Sequence, residues 1–181
     1  LICALQKLET AITNSRESWA EALRKSYRSV PSKANNDTSI KDPAFASSTS
    51  LLATDQGVRG ILQVTNDMCY IAADQIKLMN WFMEDDGSDV LDPKAVSSAL
   101  SSIKKQSANS FLRKISEELC RFDWRTSSEK SLNETQRRAQ MVFKGSSGYK
   151  ELRQQLVDVL CDSSDKLVKD TAITVKKLLK Y

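Results

Sequence analysis

The chain has 181 residues and a mass of 20.3 kDa, with 27 Lys/Arg against 23 Asp/Glu for a formal charge of +4. That length can bury the core of one domain, and no apolar run approaches the length of a membrane span. Histidine is absent, which removes histidine-based triads and most zinc sites.

The chain opens at Leu1 in mid-pattern and shows no signal peptide, so it reads as a fragment whose missing N-terminal domain is one expected partner. Leu5, Leu8, Ile12, Trp19, Leu23, Tyr27 and Val30 recur at three- and four-residue spacing. They predict one long amphipathic helix ending at Pro31, with Arg24 among the charged residues off the buried face. Residues 31–50 have two prolines, many small polar residues and no period, and predict a loop.

A central apolar helix is predicted from Ser50 or Thr54 to about Asp86. Met68, Met79, Met83, Trp81 and Phe82 read as its packing surface. Asp67 and Asp74, seven apart, share a face, and helix–helix hydrogen bonding explains them better than acid–base chemistry. The acidic run Glu84–Asp89 lacks the ligand spacing of a calcium loop. Asp92 and Pro93 then start a helix running to Phe122, with a weak point at "QSANS". Ser131 and Glu134 have capping-box spacing for a shorter helix ending at Gly145. Two more helices follow, marked by Tyr149–Leu160 and Leu167–Leu179.

The cysteines, Cys3, Cys69, Cys120 and Cys161, are far apart among apolar residues with no C-x-x-C pair. They read as buried free thiols in a reducing cytoplasm. Residues 1–100 carry 10 Lys/Arg and 13 Asp/Glu, whereas residues 101–181 carry 17 and 10. A basic second half suits an anionic partner, and a solvated helical surface is the plainer explanation.

The stretch "VFKGSSGYKELRQQL" places Gly145 and Gly148 between two helical patterns. No strand precedes it, so neither a KH loop nor a Walker loop fits. A helix-turn-helix-like arrangement remains, in which amides at Ser147 and Gly148 open a helix N-terminus toward phosphate. Lys144, Lys150 and Arg153 would add charge, and Arg137 and Arg138 would meet backbone from the preceding helix. Arg121 and Arg125, interleaved with Phe122 and Trp124, form a second candidate nucleic-acid contact. In each case a plain connector or a capped core is the alternative.

"SLLATDQGVRGILQVTNDM" (Ser50–Met68) and "FDWRTSSEKSLNETQRRAQMVFKGSSGYKELRQQL" (Phe122–Leu156) resemble the helical C-terminal part of DGQHR-domain proteins. That family is linked to DNA phosphorothioate modification and related bacterial defence. The resemblance covers about a third of the chain, and the DGQHR signature is absent from it. It implies a bacterial, cytoplasmic, DNA-associated setting.

The expectation is therefore an all-α single domain of about six helices around the 54–86 helix. It would be non-catalytic, with no cofactor or metal, and would contact DNA through its basic half. A protein-interaction module without nucleic-acid contact is the alternative.

Overall fold

Arg24 decides where the first helix ends. The predicted 5–30 helix is two helices, α1 (Ile2–Asn14) and α2 (Ser18–Arg28), in a computed structural model that describes residues 2–28, 42–78 and 92–179. The Arg24 guanidinium donates to the carbonyls of Ile12 (2.6 Å) and Ser15 (2.9 Å), and to Asp42 Oδ2 from Nε and Nη2 (3.1 and 2.9 Å). Carbonyls at a helix C-terminus have no intrahelical partner, so a cation folded back over them satisfies both hydrogen bonding and the dipole. Trp19 on α2 is buried and donates from its indole N–H to the Cys120 carbonyl (2.9 Å).

Of the predicted 31–50 loop, positions 31–41 lie outside the described residues. Beyond them Pro43–Ala46 form a short helix, α3, and Leu51–Ala53 a 3-10 turn. The Thr54 hydroxyl then accepts from the Gly57 amide (3.1 Å) and caps α4 (Asp55–Ile71).

The predicted central helix is shorter than its pattern. After Ile71 the chain runs through turns to Leu78, whose N–H donates to the Ala73 carbonyl (2.9 Å), with Lys77 at φ 54°. A left-handed residue followed by a six-to-one hydrogen bond is a Schellman stop. Lysine holds the place usually taken by glycine or asparagine, so the sequence carries no stop signal there. Met79, Trp81, Phe82, Met83 and the acidic run at 84–89 lie outside the described residues.

Asp92 caps α5 (Pro93–Ile103) through Lys94 N (2.9 Å), as its sequence predicts. The weak point at "QSANS" is a full break: α6 begins anew at Ser107 and runs to Leu119. The Ser107 hydroxyl donates to the Ile76 carbonyl (2.6 Å), and Asn109 Nδ2 to the Lys104 carbonyl (3.1 Å). Small polar side chains thus supply bonds that a continuous helix would make within itself. The capping box of α7 (Glu134–Met141) is Asn133 with Gln136, not Ser131 with Glu134. Glu134 pairs with Arg138 instead. α8 (Gly148–Cys161) and α9 (Lys166–Leu178) complete the chain's described part, with Asp165 capping α9 at Val168 N (3.1 Å).

Among the described residues eight α-helices of eight residues or more stand where about six are predicted, because two predicted helices are each broken in two. They form one all-α body. Among the described residues there is no strand, only a single antiparallel bridge between Ser50 and Arg125. α4 packs against α8 and α9, and α1 against α6. Ile61, Val64 and Met68 of α4 share the main core with Leu152, Leu156 and Leu160 of α8. No helix among the described residues is long and apolar enough to cross a membrane.

Candidate functional site

The chain segment after α6 is held by a stitch across the sequence. Leu51 N donates to the Trp124 carbonyl and Thr126 N to the Thr49 carbonyl, both at 2.7 Å. Thr49 Oγ1 also donates to the buried Glu129 carboxylate (2.5 Å). Trp124 is fully enclosed, edge-on to Phe122, which is in turn edge-on to Phe143. This aromatic cluster anchors the whole 122–148 region to the core.

Most of the expected DNA-binding arginines serve that architecture. Arg125 is buried and bonds Asp123 through Nε and Nη2 (2.6 Å for the closest contact), with Nη1 donating to Ser131 Oγ (3.1 Å). The Asp123 carboxylate holds its guanidinium above the already high arginine range, against the opposing effect of burial. Arg137 donates to the carbonyls of Ser127 (2.6 Å), Glu129 and Leu132 (both 3.4 Å), so it fastens its own loop. Arg121 pairs with Glu118 at 3.0 Å, and Arg138 with Glu134 at 3.1 Å on an open surface. Arg153 points inward from α8 to Asp67 of α4, with Nη2 at 2.6 Å. That is the helix–helix bond expected of Asp67. Asp74 is exposed and lies past the end of α4, so the two carboxylates do not share a helix face.

α8 does not have the exposure of a groove-reading helix. After Lys150 every residue to Cys161 is buried or half-buried, and Gln155 donates to Glu151 (3.0 Å). A recognition helix must stand clear of its own core to enter the major groove. The helix-turn-helix-like docking expected from the sequence therefore has no presented helix.

What remains together is the turn itself. Gly145 sits at φ 89°, a left-handed conformation that suits glycine, and its carbonyl accepts from Gln56 Nε2 on α4 (3.3 Å). Gly148 is buried where a Cβ would lie 2.1 Å from the Phe143 carbonyl oxygen. Ser147 is exposed and its side chain makes no capping bond. Lys144 and Lys150 flank the turn, exposed and without an ion pair among the described residues. Arg59 on α4, from the acidic half, reaches over the Tyr149 ring (5.9 Å) while paired with Asp55. Sequence reasoning missed it because nothing in the pattern shows that α4 starts beside this turn.

A cleft of about 260 Å³ opens between the start of α4 and this turn, lined among others by Leu51, Thr126, Ser127, Gln140, Phe143 and Lys144. Among the described residues Thr126 Oγ1, Ser127 Oγ and Gln140 Oε1 are buried with no hydrogen-bond partner. No sequence motif marks these residues. Their proximity comes from the stitch and from α7. Among the described residues no group of three or more Cys, Asp or Glu is placed to hold a metal ion.

The chain matches no protein-family model, no curated protein and no solved structure.

Proposed function

We propose that the chain is a non-catalytic helical binding domain that contacts the phosphate backbone of DNA through the basic rim of the Lys144–Lys150 turn. The observation that supports this reading is the contrast within the second half. Arg125, Arg137 and Arg153 are engaged by the fold, whereas Lys144 and Lys150 stand exposed on either side of one turn, without an ion pair among the described residues. The resemblance to DGQHR-domain proteins supports a bacterial DNA-modification or defence setting. With α8 packed away, such binding positions phosphate and reads no base sequence in the major groove.

Two or three phosphate contacts give a shallow salt dependence, a slope of log affinity against log salt of about −2 to −3. Titration of a labelled short duplex at several salt concentrations measures it. K144A/K150A flattens that slope by about two units if the rim binds phosphate. An unchanged slope, or no duplex binding at low salt, sinks the reading.

A second reading has its own observation. Met141 and Val142, 54 % and 48 % exposed, stand side by side at the end of α7. Adjacent exposed apolar side chains suit a protein partner, and loss of partner binding in M141S/V142S without loss of DNA binding would separate the two.

A further inference from the structure

We infer that the cleft between α4 and the Lys144 turn is a pocket for a single unpaired nucleotide, with the base inside and the phosphate on Lys144. The inference deepens the DNA-contact reading above and rests on it for the polymer, not for the pocket itself. Its basis is a mismatch inside the protein. Buried polar groups are normally hydrogen-bonded, and leaving one unmet is costly. Here three such groups belong to residues that line one cleft, and two of those residues, Ser127 and Gln140, are 5 % and 8 % exposed.

The chemistry of the three narrows the occupant. Gln140 Nε2 donates to the Asp123 carbonyl at 3.1 Å, which fixes the amide and leaves Oε1 as an acceptor in need of a donor. Sulfate offers only acceptors to it at neutral pH. An exocyclic amino or ring N–H of a base supplies the donor, and the hydroxyls of Thr126 and Ser127 adapt to acceptors on the same edge. Leu51 and Phe143 add apolar surface to the lining. Lys144, unpaired in the same lining, supplies a cation for the attached phosphate. The volume of about 260 Å³ lies under the about 300–1,000 Å³ of drug-sized pockets, which fits one nucleotide and not two stacked ones.

Thr126→Val and Ser127→Ala give the clean test, because neither hydroxyl makes a bond within the fold. Mononucleotides (AMP, CMP, GMP and TMP in turn) are titrated into the labelled protein while backbone and side-chain amide resonances are followed, with inorganic sulfate as the control. At least one mononucleotide is expected to shift Gln140 Nε2 and the Thr126 and Ser127 amides. Sulfate alone should leave Gln140 unmoved. T126V/S127A should unfold at an unchanged or higher denaturant midpoint and bind at least tenfold more weakly. Wild-type binding by T126V/S127A, a lowered midpoint, or silence at Gln140 with all four mononucleotides overturns the proposal. Duplex binding that vanishes on K144A/K150A while no mononucleotide moves Gln140 overturns the pocket and leaves the backbone reading intact. Mononucleotide binding without duplex binding does the reverse.

Discussion

Arg153 of α8 and Asp67 of α4 meet on a single oxygen: Nε and Nη2 both reach Asp67 Oδ2, at 2.8 and 2.6 Å. About a fifth of each side chain is exposed, so the pair is shielded from solvent while its outer edge stays wet. Removing one partner strands the other charge between two core helices, whereas removing both does not. R153A and D67A should each lower stability by about 1–3 kcal/mol, and the double variant by less than their sum. Urea unfolding of the three variants measures the coupling, and additive losses would show that the contact does not bind the helices. DNA affinity of folded R153A should stay near wild type, since this arginine faces the core.

The Lys144–Lys150 turn makes a sharper demand on backbone. Gly148→Ala would press a methyl against the Phe143 carbonyl, which belongs to backbone and has little room to yield. Its cost should reach about 2 kcal/mol or more, as for other overpacked buried sites. Gly145→Ala meets open space but a left-handed backbone, and should cost about 1 kcal/mol. Denaturant midpoints that rank the two the other way would contradict this account of the turn.

The thiols define a pH dependence. Burial pushes Cys69 up to about 11 and Cys120 up to about 12, from 9.0, and raises Cys161 as well. A thiol whose folded value lies above its unfolded one favours the folded state below pH 9, and that contribution fades as pH rises through the folded value. Stability should therefore decline above pH 9 more steeply than in C69A/C120A, as read by thermal unfolding between pH 7 and 10.5. Only the thiolate reacts with alkylating reagents, so Cys69 and Cys120 should label slowly in the native protein at pH 8. Rapid labelling of both would mean that the helices around them do not exclude solvent.

The helical class was legible because periodicity is local: Leu152, Leu156 and Leu160 are buried where their spacing puts them. Helix ends were legible where a cap is a matter of residue type, as at Asp92. They were illegible where a distant group sets the boundary. Arg24 closes α1 by bonding carbonyls nine and twelve residues upstream of it, and Lys77 adopts a left-handed turn that lysine does not advertise. The candidate site divides the same way. Lys144, Ser147, Gly148 and Lys150 lie close together along the chain, so the turn could be found. Arg125, Arg137 and Arg153 could not be sorted from free cations, because their acceptors are carbonyls and carboxylates that only folding brings near. Thr126, Ser127 and Gln140 carry no signature, since an unmet hydrogen bond has no sequence.

The stitch between Thr49–Leu51 and Trp124–Thr126 also limits how the protein can be divided. Thr49 and Glu129 are 80 residues apart along the chain, and closing a loop of that size has an entropic cost of about 4 kcal/mol before any constant is added. The short bonds of the stitch cannot meet that cost alone. They depend on the packing of the helices between them. The cleft is therefore a product of the finished topology, with one wall drawn from each half of the chain. The positively charged half, expressed by itself, would keep its lysines and lose the wall that faces them.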